Sequence, residues 1–81
     1  MNNDKLPGIL SELTQIESDT SVPRNVRARI KKAIMALESE GKDEVRVDKA
    51  LEELSEVDDD PNLHQYTRTQ IWSVVSALEE K

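Results

Sequence analysis

Shifted by 41 residues, the chain lies on itself without a gap. Leu10 meets Leu51, Glu12 meets Glu53, Leu13 meets Leu54 and Asp19 meets Asp60. Further on, Arg27 meets Arg68, Ile30 meets Ile71, Ala36 meets Ala77, Leu37 meets Leu78 and Glu38 meets Glu79. Between them Ile16 stands in the place of Val57, Val22 of Leu63 and Ile34 of Val75. The register runs through two apolar segments and the turn that joins them, so the two halves must share one local fold. At 81 residues the chain has room for a single domain. It reads as one helical domain over 1–81 with an internal repeat of about 6–40 and 47–81, the pattern of a tandem duplication.

The spacing of the apolar residues says what the repeated unit is. In the first segment they are Leu6, Ile9, Leu10, Leu13 and Ile16; in the third, Val47, Ala50, Leu51, Leu54 and Val57. Both sets follow i, i+3, i+4, i+7, i+10, one face of a 3.6-residue helix. The second segment carries Val22, Val26, Ile30, Ala33, Ile34 and Leu37, and the fourth Leu63, Ile71, Val74, Val75 and Leu78, with Thr67 where Val26 stands. Sheet-forming residues are sparse, with Tyr66 and Trp72 the only aromatics, while Leu, Glu, Ala, Lys and Arg abound, a mixture that favours helix. Helices are expected at 6–18, 22–39, 44–57 and 63–79. Short loops force sequential neighbours to run antiparallel. The expected architecture is therefore all-α, an antiparallel four-helix bundle made of two repeated helical hairpins. So short a chain has a small core, and oligomerisation would add to its stability.

Punctuation residues repeat as well. Ser21 and Asn62 are equivalent and both suit an N-cap, where a side-chain oxygen accepts from a first-turn N–H. Asp19 and Asp60 are the rival caps, with Pro61 suited to a first helical position. Gly41 is expected just past the end of the second helix, where a left-handed backbone is wanted. Arg27 and Arg68 fall at the margin of their stripes. Each is expected to run its stem along the core edge and pair with a carboxylate of the preceding turn, Asp19 or Asp60.

Several chemistries are excluded by residue type. There is no cysteine, so neither disulfides nor thiolate metal sites can form. The run Asp58-Asp59-Asp60 fails as a calcium loop. Counted from Asp58, the sixth position is Leu63 where a glycine is needed, and the twelfth is Thr69 where a bidentate glutamate is needed. The aspartates read as capping and solvated residues. His64 is the only histidine. It has no Glu-x-x-His partner for a dinuclear metal site, and no Gly-x-Ser-x-Gly accompanies it. Gly8 and Gly41 stand far apart, so no phosphate-cradling loop exists. No catalytic, cofactor-binding or metal-ligating residues are assigned, and no cofactor is expected. The N-terminus lacks the form of a signal peptide and no apolar run approaches a membrane span, so a cytoplasmic protein without membrane contact is expected.

Charge is unevenly distributed. The formal net charge is -6, which disfavours nucleic acid as the main partner. Yet from Pro23 to Leu37 there are five bases, Arg24, Arg27, Arg29, Lys31 and Lys32, and no acid. Arg24, Arg27 and Lys31 share a helical stripe and form a candidate basic patch for RNA or an acidic protein. The competing reading is that this helix pairs with acidic neighbours inside the bundle. Trp72 lies about 125° from the centre of its stripe at 100° per residue, and its counterpart is Lys31. Met35 is likewise far from its stripe. A tryptophan turned from the core points to an interface, with Val75, Tyr66 and Met35 as its companions; the competing reading is that the fourth helix of so small a bundle is wrapped widely enough to cover Trp72.

Residues 18–33, SDTSVPRNVRARIKKA, together with the acidic turn DDDPN, resemble a group of short archaeal proteins known as uncharacterised protein family 0147. The resemblance covers nearly the whole chain. It implies an all-helical bundle and an archaeal, cytoplasmic origin, and it implies no activity and no catalytic residue. The residues and the resemblance together point to a non-enzymatic interaction or scaffold module, homodimeric through the Trp72 face. The alternative is an RNA- or ribosome-associated accessory protein using the basic second helix.

Overall fold

The computed structural model describes residues 5–57 and 60–79. Four α-helices follow one another: α1 (Leu6–Ser18), α2 (Arg24–Glu38), α3 (Asp43–Val57) and α4 (Gln65–Glu79), and the described residues contain no strand. Each helix packs on its two neighbours around the bundle, α1 on α2 and α4, α3 on α2 and α4, and the diagonal pairs do not meet. The result is the expected four-helix bundle, 33 × 20 × 19 Å in extent.

Its core is written twice. In the first half Ile9, Leu13, Ile16, Val22, Val26, Ile30, Ala33 and Leu37 are buried. In the second, Ala50, Leu54, Val57, Leu63, Thr67, Ile71, Val74 and Leu78 are buried, each 41 residues after its counterpart. The turns repeat bond for bond. Asp19 N–H donates to the Ile16 carbonyl and Val22 N–H to the Asp19 carbonyl; Asp60 N–H donates to Val57 and Leu63 N–H to Asp60, at 3.1–3.2 Å. Arg27 N–H reaches the Pro23 carbonyl and Arg68 N–H the His64 carbonyl, both at 3.0 Å.

The helix starts differ from expectation. α2 begins at Arg24 rather than 22, and α4 at Gln65 rather than 63. Val22 and Leu63 are buried and prolong the apolar stripe, but their backbone belongs to the turn. Val22 precedes Pro23, whose ring disfavours a helical conformation there. Ser21 and Asn62 are accordingly not helix N-caps: Pro23 holds that place for α2, with no side-chain capping bond. Instead Ser21 N–H donates to Asp19 Oδ1 at 2.9 Å and Asn62 N–H to Asp60 Oδ1 at 2.8 Å. Asp19 and Asp60 thus brace the turns, each accepting from the residue two ahead. Gly41 does take a positive φ of +127°, but in the loop beyond α2. The helix itself ends where Ser39 turns extended, its N–H and hydroxyl both donating to the Ala36 carbonyl.

The two hairpins do not meet symmetrically. α2 lies against α3 far more closely than α4 lies against α1. At the first contact Ala33 and Ala50, both 0% exposed, let the backbones approach. Their counterparts, Val74 on α4 and Ile9 on α1, are bulkier, and α4 lies less closely against α3 as well than α2 does against α1.

Candidate interaction surface

Two arginines fix which flank of each helix faces which neighbour. Arg29 Nη1 on α2 bonds Glu53 Oε2 at 3.1 Å and its Nη2 reaches Glu56 Oε2 at 2.6 Å, both on α3. Arg46 on α3 donates from Nη1 to the Leu37 carbonyl of α2 at 3.0 Å, and from Nη2 to Asp43. That contact supplies a donor to one of the unpaired carbonyls in the last turn of α2. Since α2 turns its Arg29 flank to α3, its opposite flank, with Arg27 and Lys31, turns to α1. The same right-handed geometry, carried round an antiparallel bundle, turns the Tyr66 flank of α4 to α1 and the Trp72 flank to α3.

This geometry divides the four candidate interface residues. Trp72, 48% exposed, and half-buried Val75 share the α3 side of α4. Tyr66, 75% exposed, lies about 120° round the helix at 100° per residue. Met35 is exposed on α2, across the bundle from α4. The basic patch is likewise thinned. Arg24 and Lys31 are exposed, whereas Arg27 is half-buried and donates from Nε to the Val22 carbonyl at 3.0 Å. Arg68 donates from Nη2 to the Asp60 carbonyl at 3.1 Å. Both equivalent arginines thus bond backbone carbonyls of the preceding turn, while their charges lie close enough to Asp19 and Asp60 to help lower those carboxyls.

The larger causes of those lowered pKa values are hydrogen bonds. Asp19 is held below the ordinary carboxylate value by the hydroxyl and N–H of Ser21. Asp60 is lowered by the Asn25 amide, which donates to Oδ2 at 2.5 Å, and by Asn62 N–H. The Asn25 bond ties the start of α2 to the α3–α4 turn. It has no counterpart, because residue 66 is Tyr. Asp58 and Asp59 lie outside the described residues. Among the described residues no group of three or more His, Cys, Asp or Glu is arranged to hold a metal ion. An open, shallow depression on the outer side of α1 is lined by Ser11, Thr14, Gln15, Ser18 and Asp19.

A feature the candidate residues do not capture is where the exposed charges lie. On α2 and α3, nine of fourteen exposed residues are charged; on α1 and α4, one of thirteen is, and that one is Glu79 at the end of α4. The charges that α1 and the rest of α4 do carry, Glu12, Glu17 and Arg68, are half-buried. The outer side of α4 consists of Gln65, Tyr66, Thr69, Trp72, Ser73 and Ser76, all exposed. Thr69, Ser73 and Ser76 occupy the arc between the two aromatic residues, a low floor between two raised edges. The sequence held a signal for this, since Arg68 is the only charged residue between Gln65 and Ala77. Its meaning depends on knowing which residues face water.

Comparison with known proteins fits this geometry to a family. The chain belongs to the uncharacterised protein family UPF0147, whose model matches residues 1–80. A UPF0147 protein of Methanocaldococcus jannaschii is 48% identical over 75 residues, covering 91% of this chain and 81% of that protein. One from Pyrococcus furiosus is 45% identical over 67 residues, covering 82% of this chain and 72% of that protein. A crystal structure described as that of the unknown-function protein MMP1188 superimposes with a TM-score of 0.92 at 44% identity, covering 100% of this chain and 93% of that one. None of these names carries an enzymatic activity, and no described helix is long and apolar enough to cross a membrane.

Proposed function

We propose that this UPF0147 protein is a non-enzymatic protein-interaction module, a small scaffold that presents the outer side of α4 to a protein partner. One observation carries the reading. Trp72 and Tyr66 are exposed on a helix side with no exposed charge before Glu79, in a chain whose residues are 35% charged. Interface centres are depleted in charge and enriched in Trp and Tyr, and these aromatics commonly supply the residues whose loss weakens binding most. A cytoplasmic location belongs to the same proposal.

Tandem duplication of one hairpin accounts for how such a surface arises. The matched buried sets and matched turn bonds support it. On the same skeleton the outer faces have diverged: Arg24, Lys31 and Lys32 on α2 correspond to Gln65, Trp72 and Ser73 on α4. A repeated core with two differently finished sides is what a scaffold requires.

The alternative, an RNA- or ribosome-associated accessory protein, draws on Arg24 and Lys31, exposed on α2. Affinity capture from an archaeal lysate, with and without nuclease, separates the two. The interaction reading predicts capture that survives nuclease and moderate salt and is lost in Trp72→Ala. Capture that vanishes with nuclease, falls steeply with salt and tracks Lys31→Ala instead overturns it.

A further inference from the structure

We infer that α4 comes away from the bundle as a unit, ahead of global unfolding, while α1, α2 and α3 stay packed. Because the chain repeats itself, α4 and α2 are two versions of one helix and can be compared place by place. At four places α2 has an attachment that α4 lacks. Asn25 ties the start of α2 to Asp60 of the α3–α4 turn, and its counterpart is Tyr66. Val26 is buried hydrocarbon where α4 buries Thr67, whose hydroxyl costs free energy to take from water. Arg29 holds Glu53 and Glu56 of α3; at the equivalent places on α4 and α1 stand Gln70, Glu12 and Gln15, with no cation among them. Ala33, buried where α2 lies close to α3, is replaced by the bulkier Val74.

The packing agrees. α4 lies less closely against both α1 and α3 than α2 lies against either of its neighbours. α1 and α3 do not meet each other, and each is joined to α2. Release of α4 therefore breaks the two looser contacts and spares the two closest, with α2 as the spine of what remains. Once released, α4 does not hold its own shape. It has fifteen residues, at the margin for an isolated helix in water, and five of them (Thr67, Thr69, Ile71, Val74 and Val75) are β-branched, against three in α2. Elements that take part in binding are drawn from the least stable parts of a fold. Trp72 and Tyr66 ride on this helix, so a partner that holds them acts on its opening by mass action. That coupling rests on the interaction reading; the opening itself rests only on how α4 is attached.

The test is native-state amide hydrogen exchange of the full chain, followed by NMR at low urea concentrations. Mid-helix amides at equivalent positions are compared, so that fraying of helix ends does not enter: Ile71 and Val74 against Ile30 and Ala33, each corrected for its intrinsic rate. Ile71 and Val74 are expected to exchange about tenfold faster or more, with one shared urea dependence that is weaker than that of Ile30 and Ala33, because less surface is exposed. Arg29→Ala removes ion pairs that persist while α4 is open. It is expected to speed exchange at Ile30 and Ala33 severalfold and to leave Ile71 and Val74 unchanged. Equal exchange at the equivalent positions overturns the inference, as does an Arg29→Ala protein in which all four amides speed up together, for then the bundle opens in one piece. Either result leaves the interaction reading standing, since that is judged by Trp72-dependent capture of a different protein.

Discussion

Arg27 and Arg68 stand 41 residues apart and each donates back into the turn that precedes its own helix. Arg27 Nε–H reaches the Val22 carbonyl at 3.0 Å, and Arg68 Nη2–H reaches the Asp60 carbonyl at 3.1 Å. A half-buried guanidinium in this position satisfies a turn carbonyl and covers the core edge with its stem. Replacing Arg68 with alanine is expected to lower stability by about 1–2 kcal/mol. Exposed Arg24, replaced likewise, is expected to change it by less than about 0.5 kcal/mol. Urea melts of the two variants check the difference; coincident midpoints would contradict it.

Among the described residues Thr67 is the one buried polar residue at a core position, 6% exposed where its counterpart Val26 is 0% exposed. A hydroxyl taken from water into such a core costs free energy that a methyl group does not. Thr67→Val is therefore expected to stabilise the fold by about 1 kcal/mol. A thermal melt shifted downward would show that the hydroxyl is better served than its surroundings suggest.

Gly41 holds a φ of +127° with open space where a Cβ would project. The cost of a side chain there is backbone strain alone. Gly41→Ala is expected to lower stability by about 1 kcal/mol, measured by urea denaturation, with helicity unchanged. No loss would mean that the loop relaxes freely.

Asp19 and Asp60 both titrate lower in the fold than in the unfolded chain, because Ser21, Asn25 and Asn62 donate to their charged forms. Their stabilising contribution is complete above the ordinary aspartate value of about 4 and is lost as pH falls through the folded values. The urea midpoint is expected to fall on acidification below about pH 4. The double variant Asp19→Asn with Asp60→Asn keeps the acceptor oxygens and should flatten that fall. An unchanged acid dependence would assign it to other carboxyls.

How much of this was legible before any coordinates varies by residue. The apolar spacing gave the bounds of α1 and the bundle itself, because burial of one stripe decides helical segments of this length. Val22 and Leu63 misled at the helix starts. They continue the stripe in burial, while their backbone serves the turn, and the proline after Val22 was the sign against helix. The pairing of Arg29 with Glu53 and Glu56 was among the readings the charge pattern allowed. The bond from Arg46 to the Leu37 carbonyl was not legible, since it depends on how two helices lie side by side. Nor was the closer approach of α2 to α3, although the small residues that permit it, Ala33 and Ala50, stand in plain view. Trp72, Tyr66 and Met35 looked like one patch because distance from the core stripe does not tell which way round a helix a residue lies. That the exposed helix residues of α1 and α4 are uncharged before Glu79 emerged only once exposure was known for each residue.

Trp72 is the only tryptophan, so its fluorescence reads the α4 surface directly. The measurement that bears most on the account is the acrylamide quenching of Trp72 with and without the protein partner captured from lysate. The account predicts that Trp72 is shielded in the complex and that Trp72→Ala captures no partner. Quenching that is the same in the free protein and in the complex would mean that the outer side of α4 meets no partner, and would contradict it.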